Sequence, residues 1–68
     1  MMGQAVGICL VSANPTKTTY LFGKNEEITG KKLKVIERNR WGDCLCLDHT
    51  GSNLVDINHE DVATFLPL

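Results

Sequence analysis

The chain has 68 residues, 43% hydrophobic and 22% charged, with a net charge of −1 and three cysteines. That composition excludes a disordered chain, and a length this short makes one domain whose thin core buries only ~60% of the unfolded surface. A charge so close to zero supplies no global field toward nucleic acid or an anionic membrane, and no run approaches transmembrane length.

In chain order, the first apolar segment is AVGICLV (5–11). It is short and no Lys or Arg precedes it, so it reads as a strand and not as a signal peptide. Its larger side chains, Val6, Ile8 and Leu10, are expected to form the inward set. The turn formers ANPTKTT (13–19) come next, then YLF (20–22) and the polar stretch GKNEEITGK (23–31). KLKVIE (32–37) alternates, which places Leu33 and Val35 inward and Lys32 and Lys34 outward. On the same parity lie Arg38 and Arg40, so a basic stripe is expected along one strand face.

The turn RNRWGD (38–43) holds the single tryptophan, Trp41. In CLCLD (44–48), Cys44 and Cys46 share one face and Leu45 and Leu47 the other. After HTGSN (49–53), LVDI (54–57) sets Val55 and Ile57 opposite Leu54 and Asp56. NHED (58–61) reads as one helical turn, capped by Asn58 with Glu60 and Asp61 at its start. VATFL (62–66) closes the series. Strands of four to six residues, with turn signals every 8–12 residues, predict an all-β fold: a small barrel of five to six strands in a single domain.

The cysteines Cys9, Cys44 and Cys46 are an odd set, and two of them sit too close on one strand face to bridge each other. This predicts a reducing compartment, hence the cytoplasm.

Residues 28–66 resemble the C-terminal half of a Src-homology-3-like barrel. The likeness lies in Gly30, the Leu33-x-Val35 strand, the charged loop ending in Trp41 and the alternating Cys44 and Cys46. It continues through the turn at Gly51, the strand of Val55 and Ile57, a tight helical turn, and a last strand opening with Val62. The resemblance implies a bacterial or phage form of the barrel, of the kind carried on mobile elements. The aromatic shelf that binds Pro-rich ligands in the eukaryotic signalling domains is missing apart from Trp41, so binding of Pro-rich peptides is not expected. Val55-Asp56-Ile57-Asn58 is also similar to the active-site strand of the small type II dihydrofolate reductases, which implies a small oligomeric reductase. The Gln and Tyr of that strand are here Asp56 and Asn58.

The function expected is a non-catalytic interaction module that binds a protein partner or itself. A barrel this small cannot enclose every apolar residue, so Leu45, Leu47 and Leu54 are expected to meet the partner. Trp41 is its anchor, since a loop-tip Trp buries ~200 Å² at little entropic cost. The alternative is binding of single-stranded nucleic acid through Lys32, Lys34, Arg38, Arg40 and Trp41, as phosphate contacts plus a stacking ring. No catalytic residue, cofactor, metal site or membrane association is expected. Cys44-x-Cys46-x-x-His49 lacks a second ligand pair beyond Cys9 and His59, and Gly23-Lys24 lacks the rest of a phosphate loop.

Overall fold

The segments that alternate in the sequence form strands because each can bury one face. In the computed structural model these are β1 (Gly7–Val11), β2 (Thr19–Tyr20), β3 (Lys32–Arg38), β4 (Cys44–Leu47), β5 (Leu54–Ile57) and β6 (Val62–Pro67). The structure describes residues 5–17, 19–20, 28–48 and 50–68, excluding the side chains of 19 and 20. Leu21 and Phe22, expected to continue β2, and His49 lie outside the described residues.

All neighbouring strands are antiparallel, in the order β2-β5-β4-β3-β1-β6. A single 3-10 turn, His59–Asp61, joins β5 to β6, and the Asn58 side chain caps it by accepting from the Glu60 N–H at 2.9 Å. The fold is all-β, as the spacing of strands and turns predicts, with the helical turn at the expected place. No helix among the described residues is long and apolar enough to cross a membrane.

The core holds Cys9, Val11, Ile28, Leu33, Val35, Cys44, Cys46, Val55 and Ile57, all essentially inaccessible to solvent. With no helical layer among the described residues to cover that face, the sheet curls round it as a barrel that the described strands leave unpaired between β2 and β6. Leu33, Val35, Cys44, Cys46, Val55 and Ile57 all point inward as alternation predicts, while Leu45, Leu47 and Leu54 stand half-buried on the outer wall.

β1 departs from expectation. Its buried residues are Gly7, Cys9 and Val11, while Val6, Ile8 and Leu10 face outward. Both parities of this strand are apolar, so hydrophobicity cannot choose between them; volume does. Gly7 sits against the Phe65 ring, and a Cβ there would overlap the ring and lie 2.6 Å from the Leu66 carbonyl oxygen. Only glycine fits inside at that point, and the period of two then sends Ile8 and Leu10 out.

β3 also departs. Val35 pairs with Cys46, but Glu37 pairs with Leu45 and Arg38 with Cys44, so Ile36 is an extra residue in a bulge. The bulge reverses the parity of the residues beyond it. Arg38 therefore shares the face of Cys44, and the expected stripe of Lys32, Lys34, Arg38 and Arg40 on one strand face does not form.

Two buried carboxylates stand in for turns of regular backbone. Asp48 accepts from the Thr50 hydroxyl at 2.6 Å, the Gly51 N–H at 3.0 Å and the Asn53 side-chain amide at 2.9 Å. These bonds, the Thr50 hydroxyl first, hold its carboxyl well below the usual range. Asp61 accepts from the Thr16 N–H at 2.8 Å and the Lys17 N–H at 2.7 Å, and so clips the 14–17 loop to the 3-10 turn.

This packing makes two substitutions informative. Replacing Gly7 with Ala overpacks the seam between β1 and β6, and urea unfolding should show a loss of about 1–3 kcal/mol. Asp61→Ala leaves two backbone donors without their acceptor, and the same measurement should show a loss of about 2–3 kcal/mol.

Candidate functional site

The turn between β3 and β4 carries the most exposed aromatic among the described residues. Trp41 is 66% exposed, so it does not fold over the barrel mouth. Its loop is nonetheless tightly held. The Asn39 side-chain oxygen accepts from the Trp41 N–H at 2.9 Å and from the Asp43 N–H at 3.0 Å, and the Asn39 amide donates to Asp43 at 2.9 Å. The backbone closes with Gly42 N–H to Asn39 C=O and Asn39 N–H to Asp43 C=O, both 3.1 Å. This is the use of Asn in a turn whose side chain copies a backbone carbonyl. Gly42 completes it with φ of 95°, a conformation that strains any L side chain.

Asp43 fastens the turn to the rest of the molecule. Its Oδ1 accepts from the His59 N–H at 2.7 Å and meets His59 Nδ1 at 2.9 Å. The Asn39 amide first, then the His59 backbone and ring, lower its carboxyl to about 2. The Trp41 turn and the 3-10 turn are therefore one rigid unit at one end of the barrel. Beside it, Lys17 pairs with Glu60 at 2.9 Å, which ties the 14–17 loop to the same end.

The two arginines serve this end separately from the two lysines. Arg40 lies over the Trp41 ring at 5.2 Å from its centroid, and Arg38 lies over the Phe65 ring at 4.2 Å. The Arg38 guanidinium also comes close to Gly42, where it packs the loop from below. Lys32 and Lys34 are on the outer wall, opposite Leu10 and Ile8.

Leu45 stands between Glu37 and Asp56 on the neighbouring strands, and Leu47 pairs with Leu54. Burial first, and then the nearby Asp43, push the Asp56 carboxyl up. Leu45 shares a depression with Arg38, Asn39 and Asp43 at the base of the Trp41 turn, whereas Leu47 and Leu54 lie together further along the wall, so the expected contact residues are divided between an end and a wall.

The three thiols are core groups. Cys44 donates toward the Gly42 carbonyl and Cys46 toward the Cys44 carbonyl, at 3.6 and 3.7 Å. Burial pushes the Cys44 thiol up to about 11, and Cys46 higher still, through its hydrogen bond with Cys9 and its burial. Cys44 and Cys46 are thereby held in the thiol form, while the Cys46 side chain, against the effect of burial, draws the Cys9 thiol the other way, below its usual value. Among the described residues, no three His, Cys, Asp or Glu side chains are grouped to hold a metal ion.

Alternation along the sequence does not reveal an apolar strip at the seam of β1 and β6. Val6 is 43% exposed, Leu66 56% and Leu68 82%. The signal for it lies in β1, where both parities are apolar and one contains a glycine, so that one parity has to face outward.

The chain matches no family model, no curated protein and no solved structure.

Because Asp43 is acidified by folding, its bonds persist above the unfolded value near ~4 and are lost as pH falls toward about 2. The fluorescence of Trp41 should therefore stay constant through the ordinary carboxylate range and change near pH 2. Asp43→Asn should abolish that acid step.

Proposed function

We propose that this protein is a non-catalytic interaction module, a Src-homology-3-like barrel that inserts Trp41 into a pocket of a protein partner. The observation that carries the reading is the combination at Trp41: an indole two-thirds exposed on a turn that has no freedom to bury it. Exposing an indole loses the stabilisation it would gain inside, and the hydrogen bonds that hold the turn have already met the entropic cost of presenting it. Rigid aromatic anchors of this kind dominate the energetics of protein interfaces. Arg40, stacked on the ring, lies where it can pair with an acceptor at the rim of the partner's pocket.

The order of features along the chain supports the barrel assignment. A strand of Leu33 and Val35 leads to a loop with Trp41, then to a strand with Cys44 and Cys46 inside. Beyond these come a turn at Gly51, a further strand, one helical turn and a last strand from Val62. Three free, buried thiols fit a reducing, cytoplasmic setting.

The test is a comparison of purified wild-type protein and the Trp41→Ala variant against a protein captured by the wild type. Circular dichroism and thermal unfolding should be unchanged, because the ring supports no core residue. Affinity should fall by ~30-fold or more, the loss of an interface hot spot. A captured partner that binds both forms equally would refute the reading.

A further inference from the structure

Leu66 belongs to an apolar ladder that the Trp41 end does not use. Ile8 faces Leu66 and Leu10 faces Thr64 across the seam of β1 and β6, with Val6 and Leu68 at its end. Ile8, Leu10, Thr64 and Leu66, bordered by Lys32, line a shallow depression of about 90 Å³. The strand that carries half of this ladder, β6, is the last in the sheet, and none of its residues Val62–Pro67 is charged. Edge strands are ordinarily guarded by charge, because a bare edge is a template for another strand.

The open backbone groups can be located. The Leu68 N–H donates to the Val6 carbonyl at 3.0 Å, so by alternation Leu66 and Thr64 also turn their backbone toward β1. Phe65 then turns its N–H and C=O to the open side, with no partner among the described residues. The ends of the edge are blocked. Pro67 has no N–H, and Thr64 opposes Leu10 while Val62 opposes Val11, which leaves Ala63 as an unopposed bulge residue. That leaves Thr64–Leu66 as the stretch whose outer edge has no strand beside it among the described residues.

We propose that a second copy of this chain adds to β6, antiparallel, about a two-fold axis through the two Phe65 residues. In that register each Phe65 N–H donates to the Phe65 carbonyl of the other copy, and the blocked ends fall outside the paired stretch. Leu66 of each copy meets Thr64 of the other, so the two apolar ladders join into one. A pairing this short is satisfied best by an identical strand: the axis doubles every contact, and two uncharged edges do not repel. This surface uses the outward residues of β1 and β6, none of which belongs to the Trp41 turn, and goes beyond the partner proposed for that turn. The contact is small, so the dimer is weak and depends on concentration.

Sedimentation between ~10 μM and ~1 mM should show monomer passing to dimer, a range suited to weak association. Over the same range, hydrogen exchange at the Phe65 amide should slow at least tenfold. Leu66→Lys should weaken the dimer at least tenfold while dilute samples unfold at the wild-type temperature. Thr64→Lys, on an already exposed side chain, should do the same if the Leu66 variant fails to fold. Trp41→Ala should dimerise as the wild type does. A chain monomeric throughout, a dimer with a fast-exchanging Phe65 amide, or a dimer abolished by Trp41→Ala would each overturn the proposal.

Discussion

The width of the barrel interior governs this protein. The inner faces of the strands are filled mostly by cysteine and valine, with one isoleucine and one leucine among the fully buried set on them. At the seam of β1 and β6 even those are too large, and Gly7 lies directly on the Phe65 ring. That single contact sets the parity of β1. Once Gly7 is inside, Cys9 and Val11 are inside with it, and the larger Ile8 and Leu10 are left on the wall. The apolar outward surface along β1 and β6 is thus a consequence of how little fits within the core.

A core this thin is supplemented by polar clips. Asp48 organises the turn between β4 and β5, and Asp61 holds the 14–17 loop against the 3-10 turn. Asn39 and Asp43 order the Trp41 turn and join it to His59. Each clip is a carboxylate or amide replacing a backbone carbonyl where the chain is too irregular to pair with itself. Through them, loops that would otherwise move become extensions of the barrel, which is why an exposed tryptophan can have a defined position.

The bulge at Ile36 shapes the surface in a different way. By reversing parity within one strand it carries Arg38 to the barrel end, onto Phe65 and beside Gly42, and leaves Lys32 and Lys34 on the wall. Four basic residues that read as one stripe become two pairs with separate surroundings. The binding character of the end is accordingly set by an indole and its stacked guanidinium more than by accumulated charge.

Much of the fold is legible in the chain alone. Turn formers recur at short intervals, and Leu33, Val35, Cys44, Cys46, Val55 and Ile57 each lie in a strand whose two parities differ in volume or polarity. The helical turn is readable because Asn58 caps it and acidic residues come directly after. Trp41 stands out as a candidate because it is the single indole and sits in a turn. Alternation does not determine β1, where both parities are apolar, or the far end of β3, where one extra residue reverses the pattern. Those outcomes depend on contacts between residues distant in the chain, Gly7 with Phe65 and Val35 with Cys46. Local periodicity is a property of one strand, whereas the room available inside and the register across a ladder belong to the strands together. Tertiary structure therefore decided which leucines and isoleucines face solvent and which charges share a surface.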